Sequence, residues 1–242
     1  MAETLSRLQR LFVEDDLRDG GSFLLTPEQG HYLSHVIRLP VGGKVLLFNG
    51  RDGEWLGMRA DAGKREVRVV AERQTRTQPP TPDLAYAFAP LKHARLDYMI
   101  QKAVEMGAGR LQPVLTRHTQ ATRVNSERMR ANAVEAAEQC GILSLPEIDE
   151  PVSLDKWLHT LPPERLLVFC DEAADLQDPL AALRAAPAGP ASVLIGPEGG
   201  FSADERRQLR AHPRGVVLSL GPRILRADTA AVAALALVNA AR

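Results

Sequence analysis

The stretch Gln74-Thr-Arg-Thr-Gln-Pro-Pro-Thr-Pro82 constrains this chain more than any other. Pro79, Pro80 and Pro82 remove three backbone donors, and no apolar period runs through the stretch, so it reads as a linker. It separates two parts of unlike texture. Residues 1–73 hold short strand candidates at Leu11–Val13, Ser22–Leu25, Lys44–Asn49, Glu54–Ala60 and Glu66–Ala71, divided by Gly-Gly, Asn-Gly and Asp-Gly turn signals. One helix interrupts them, with Thr26 as N-cap and Pro27 at its first position. A small β-barrel with one helix fits this pattern.

After a linker at 74–83, residues 84–242 alternate strand and helix. Strands are expected at Leu84–Ala89, Leu111–Leu115, Arg165–Cys170, Ser192–Ile195 and Val216–Leu220. Helices are expected at 93–106 and near 126–140, 153–159, 177–185 and 202–211, with a last one beginning near 227 at Asp228 or Thr229. In the first of these, Leu96, Met99, Ile100, Ala103 and Val104 follow the helical period. Such alternation implies an α/β domain with a parallel sheet covered on both faces. Ligands in such sheets gather beyond the carboxyl ends of the strands.

Charge says less. Thirty basic and thirty acidic side chains balance, which does not favour a strongly basic nucleic-acid binder. Residues 81–130 are the exception, with eight basic side chains against four acidic. Their cations, Lys92, Arg95, Lys102, Arg110, Arg117, Arg123, Arg128 and Arg130, could lie on phosphates or form a solvated helical face. Cys140 and Cys170 lack ligand spacing and read as reduced thiols. His31, His93 and His118 are likewise too scattered for a metal, and none is expected. The opening MAETLSRLQR has no apolar signal core, and Ala227–Ala241 is too short to span a bilayer, so a cytoplasmic location is expected.

Two loops carry the chemistry. After Ser192–Ile195 comes Gly196-Pro-Glu-Gly-Gly-Phe201, followed by Ser202 and Glu205 as a capping box for the next helix. Glycines permit close approach of a planar ligand, although a tight strand-to-helix turn uses the same residues. The spacing matches neither the phosphate loop nor the dinucleotide fingerprint, which argues against a nucleotide-dependent oxidoreductase. After Val216–Leu220 comes Gly221-Pro-Arg-Ile-Leu-Arg-Ala-Asp-Thr-Ala230. Arg223 and Arg226 can meet phosphate, carboxylate or a base edge, or pair with Asp228. Ile224 and Leu225 suit either an adenine wall or a core cap.

These segments resemble a known family. GPEGGF followed by Leu220-Gly-x-Arg-Ile-Leu-Arg-x-Asp-Thr-Ala230 is similar to the C-terminal motifs of the 16S rRNA uridine-N3 methyltransferases, of the SPOUT superfamily. Arg10–Val13, His31–Leu39, Gly43–Gly50, Gln101–Gly107 and Glu135–Gly141 match further segments in order along the chain. Two positions depart: Asp228 stands where glutamate is usual, and Ile142 where many members carry arginine.

The resemblance implies a PUA-like RNA-binding barrel at 1–73 and a SPOUT domain at 84–242 whose last third is threaded as a trefoil knot. It implies S-adenosylmethionine as cofactor, held by Phe169, Cys170, Ile195, Gly196, Pro197, Glu198, Gly199, Gly200, Leu220, Gly221, Ile224, Leu225 and Thr229, with Asp171 close by. Arg10, Arg223 and Arg226 are then expected at the uracil or its phosphates, and Glu198 as candidate base. RNA contacts are expected from Arg10, Arg38, Lys92, Lys102, Arg117 and Arg123. The implied partners are 16S rRNA, within the 30S subunit, and a second copy of the chain. Rival readings are a ribose 2′-O or tRNA methyltransferase and a non-catalytic RNA-binding assembly factor.

Overall fold

The computed structural model describes residues 5–61, 66–92, 94–120, 123–172, 174–175 and 178–242. His93 and Gln177, expected to open two helices, lie outside the described residues. The chain forms two compact units, Met1–Pro80 with Ala137–Leu145, and Thr81–Ala136 with Pro146–Arg242.

The first unit is a curled five-stranded sheet. Its elements are β1 (Arg10–Phe12), β2 (Ser22–Leu24), α1 (Pro27–His31, continued by a π-helical turn at Tyr32–Val36), β3 (Lys44–Phe48), β4 (Glu54–Asp61) and β5 (Val67–Arg76). The strand order is β1-β3-β4-β5-β2, and only β1 and β3 run parallel. Alternate residues Leu11, Val13, Val45, Leu47, Val67, Val69 and Ala71 pack with Leu33 into one core, as a half-buried sheet requires. Thr26 and Gln29 form a capping box on α1, and Gln29 Nε2 donates to the Phe12 carbonyl (2.7 Å). Strand β5 runs on through Gln74–Arg76, into the segment expected as linker. The prolines begin only at Pro79, and Thr75 Oγ1 lies 2.9 Å from the Glu54 carboxylate across the strand pair.

Glu54 is the buried charge among the described residues of this unit, 2% exposed. Arg10 Nε donates to it at 3.0 Å and Arg76 Nη1 lies 3.6 Å away. Arg76 also donates to the Gly141 carbonyl (2.9 Å), and the Phe12 amide donates to Glu138 (2.8 Å). Gly141, at φ +65°, leaves room for Arg10: a Cβ there would sit 3.1 Å from Cζ. Residues 137–145 are thus bonded to the N-terminal strands. Removing a partner from a buried carboxylate is costly, because the remaining charge stays desolvated. Arg10→Ala is expected to lower the unfolding free energy by about 3 kcal/mol in urea titrations, and Glu54→Gln, which leaves no buried charge, by less.

The second unit is built on parallel strands. Its elements are β6 (Leu84–Phe88), α2 (Ala94–Glu105), β7 (Arg110–Leu115), α3 (Ser126–Cys140), β8 (Glu147–Ile148), β9 (Val152–Ser153), α4 (Leu154–Thr160), β10 (Leu166–Cys170), α5 (Pro179–Ala185), β11 (Ala191–Ile195), α6 (Ala203–Arg210), β12 (Gly215–Leu218) and α7 (Ala227–Ala241). The final turn of α3 belongs to the first unit. The order is β12-β10-β11-β6-β7-β8, with β9 also against β7, and every pair is parallel.

One face of this sheet packs Ala87, Val114, Leu167, Phe169 and Leu194 against Leu154 and Trp157 of α4 and Leu209 of α6. On the other side α7 packs on α2, α5 and β11. The two-residue strands β8 and β9 are too short to leave a pattern in the sequence. Strand β12 stops at Leu218, so Ser219 and Leu220 join the loop that follows. Helix α7 starts at Ala227, earlier than Asp228 or Thr229, with Arg226 in the cap position and no side-chain cap bond. No described helix is long and apolar enough to cross a membrane.

Candidate active site

The carboxyl ends of β10, β11 and β12 open onto a cavity of about 430 Å³. Its walls are Cys170–Glu172 at and after β10, Ile195–Phe201 at and after β11, and Leu218–Ala227 at and after β12, with Ala230 of α7. The two glycine-proline loops therefore face one space. Among the expected cofactor residues, Phe169 and Thr229 are not in its lining. Phe169 is fully buried, edge-on beneath Phe201 (centroids 6.3 Å, 85°), and Thr229 is exposed on the first turn of α7.

The loop after β11 owes its shape to small residues. A Cβ on Gly196 would lie 2.9 Å from the Phe201 ring, so only glycine lets that ring fold back beneath the strand end. The Gly200 amide closes a turn on the Pro197 carbonyl (2.9 Å) at φ +66°. His118, in the loop after β7, donates from Nδ1 to the Gly200 carbonyl (3.0 Å), since a carbonyl can only accept. The Arg117 amide donates to Glu205 (2.7 Å), which also completes the expected capping box with Ser202.

Ion pairs fix the remaining wall. Asp171, 1% exposed, accepts from Arg206 Nε (3.0 Å) and Arg210 Nη2 (3.1 Å), while Glu172 accepts from Arg206 Nη2 (2.6 Å). Burial pushes the Cys170 thiol up to about 12, which favours its protonated form. Arg223 and Arg226 are exposed on the cavity wall, and no ion pair joins them to the described residues. Asp228 instead accepts from the Thr229 amide (3.0 Å). Ile224 is 88% exposed at the rim, an apolar side chain with nothing over it.

A second cavity of about 420 Å³ adjoins the first. It is lined by Pro90–Lys92, Ala94, Arg95, His118, Gln120 and Pro197–Gly199. Arg95 Nη1 is ion-paired with Glu198, which belongs to both cavities. Of the other expected RNA contacts, Lys92 lies in this cavity, and Arg117 and Arg123 are exposed. Lys102 pairs with Glu105 (2.7 Å) and lies over the Tyr98 ring. Arg38 is exposed in the first unit, the one described non-glycine residue at positive φ (+52°). Arg10 also belongs to that unit, with its Nε on Glu54.

Sequence reasoning did not single out Arg95, His118, Glu172 or Arg206 for the site. Glu172 could have been found as the second residue beyond a parallel strand; the others act across long sequence separations. Among the described residues no cluster suited to a metal ion occurs.

Two outcomes follow. Gly196→Ala is expected to destabilise the chain by about 1–3 kcal/mol in chemical unfolding, through overpacking against Phe201. In thiol titration of the native protein near pH 8, exposed Cys140 should react promptly and half-buried Cys170 much more slowly.

Residues 77–239 match the family model described as RNA methyltransferase domain, and residues 25–72 the one described as RNA methyltransferase PUA domain. Ribosomal RNA small subunit methyltransferase E of Rickettsia conorii is 30% identical over 235 residues, covering 96% of each chain. A methyltransferase structure from Legionella pneumophila, solved with the bound cofactor SAM, is 29% identical with a TM-score of 0.83, over 97% of this chain and 98% of that one. The ribosomal RNA small subunit methyltransferase E of Neisseria gonorrhoeae, bound to S-adenosyl methionine, shares the fold at a TM-score of 0.84 and 23% identity, over 97% and 98% of the chains. With its own motifs in order and these matches spanning both units, the chain belongs to the RNA methyltransferase family.

Proposed function

We propose that this protein methylates N3 of a uridine in 16S rRNA, using S-adenosylmethionine bound in the cavity at the ends of β10, β11 and β12. The observation that carries this reading is that both glycine-proline loops line one space of about 430 Å³, inside the range of small-molecule sites. The residues present fit the cofactor. Backbone of Gly196–Gly200 and Ser219–Gly221 offers hydrogen bonds at close range, and Ile195, Leu220, Ile224 and Leu225 offer apolar surface for the adenine. Exposed Ile224 gains a contact once that ring is bound.

The cofactor supplies an electrophilic methyl group on a sulfonium. The chain's part is to hold acceptor and donor in line, which by itself removes much of the barrier. Uracil N3 carries a proton that must leave, and the resulting charge spreads onto the ring carbonyls. Arg223 and Arg226, always protonated and free of ion pairs among the described residues, are assigned to that charge or to the flanking phosphates. Glu198 is assigned to hold Arg95 rather than to act alone. Because N3 lies on the pairing edge, the uridine must be unpaired or flipped out.

The first unit, with exposed Arg38, is assigned to RNA docking, and Arg10, engaged by Glu54, to its internal support. The reading includes a cytoplasmic 30S substrate and a homodimer in which the small exposed residues Ala236 and Ala240 of α7 approach the partner closely. It also includes the trefoil threading that the family resemblance implies.

The test is to incubate the protein with labelled S-adenosylmethionine and undermethylated 30S particles, then map the label. Label on uridine N3 is expected; label on a ribose or none would overturn the assignment. By calorimetry, Ile224→Ala should weaken cofactor binding by about 1–2 kcal/mol, roughly tenfold. Arg226→Ala should keep that affinity while methylation falls about 100-fold.

A further inference from the structure

We infer that the second cavity receives the acceptor nucleotide and that His118 takes the N3 proton there, with Arg95 facing the ring carbonyls. The inference rests on the methyl-transfer reading above and adds to it the acceptor's place and its base. It starts from strand order. Strand β11 lies between β10 and β6, so the loop that follows it is a partition. The first cavity lies over β10, β11 and β12, and the second over β6, β7 and β11. Pro197, Glu198 and Gly199 line both. A methyl donor held on one side has its acceptor within reach only from a space sharing that wall.

The chemistry of the second cavity suits a nucleotide. Pro90 and Leu91 give apolar surface for a base face, and Lys92 and Arg95 give positive charge. The cavity's one carboxylate, Glu198, is engaged by Arg95. Arg95 stands in the first turn of the twelve-residue helix α2, where the helix dipole adds to its charge. A cation there stabilises negative charge on a uracil carbonyl.

His118 is oriented for a proton. Its Nδ1–H is spent on the Gly200 carbonyl (3.0 Å), so that in the neutral ring Nε2 is the nitrogen that carries the lone pair. This is the arrangement of a base and its orienting acceptor. Glu198 is less suited, because its carboxylate already accepts from Arg95. In the step, the N3–H bond breaks and its electron pair stays on the ring, spread over the two carbonyls. The proton forms a bond to Nε2, and the imidazolium later releases it to water.

Uridine 5′-monophosphate, added at millimolar concentration to the cofactor-loaded wild-type protein, is the binding probe. The readout is the ring resonances of histidine, with that of His118 assigned by its loss in His118→Asn. A shift at His118 is expected; no shift there at saturating nucleotide would overturn the inference. Kinetics supply a second arm. His118→Asn, which keeps a donor for Gly200, should bind cofactor as wild type does, yet lose at least about 100-fold in kcat/KM. Added imidazole should restore part of the rate to that variant. Full activity in that variant would overturn the assignment of His118. Failure of the underlying reading looks different: wild-type protein that neither binds the cofactor nor labels 30S particles.

Discussion

Phe201 folds its ring back beneath Gly196, and the turn between these two residues shapes everything at the carboxyl end of the sheet. Burying a phenylalanine contributes roughly 2–3 kcal/mol, enough to anchor a five-residue loop of glycine and proline that has little else to pack. Edge-on contact with Phe169 ties the anchor to β10, and His118 ties it to β7. The loop stands up from the sheet as a thin wall of backbone. Because the wall is backbone, it offers amides and carbonyls to both sides without the bulk of side chains.

Formal neutrality of the chain conceals how its charges are used. Asp171 and Glu172 are taken up by Arg206 and Arg210, Glu198 by Arg95, and Glu205 by two backbone amides. The acids nearest the cavities are thus satisfied by partners within the unit. What remains on the walls without an ion pair among the described residues is Arg223, Arg226 and Lys92. A protein without net charge can present a positive site when its carboxylates are spent locally.

Much of this was readable from residue patterns, and the reason is range. Leu84–Phe88 and Ala191–Ile195 show themselves as apolar runs, α2 as a 3.6-residue period, and α6 by Ser202 and Glu205. Each signal lies within a dozen residues. The glycine-proline loops were visible for the same reason, and the resemblance placed them together. The pairs that complete the site were not visible. Arg95 and Glu198 lie 103 positions apart, His118 and Gly200 82, and no local period marks either pair. The partner of Arg10 was equally hidden: its Nε donates to Glu54, 44 positions away. The arginines after β12 could have bonded Asp228, but a nearer donor, the Thr229 amide, takes that carboxylate.

The order β12-β10-β11-β6-β7-β8 has a consequence for how the protein is made. During translation β6 and β7 emerge early, and β6 must wait with one edge bare until Ala191–Ile195 arrives to pair with it. Helix α7, which packs on β11, α2 and α5, emerges later still. Such late, distant pairings slow folding and leave sticky edges exposed meanwhile. The first unit waits less, since its final segment, Ala137–Leu145, is in hand before β10 and β11 have been synthesised. Nascent chains stalled before β11 should therefore be the aggregation-prone species, and the ones that depend most on chaperones.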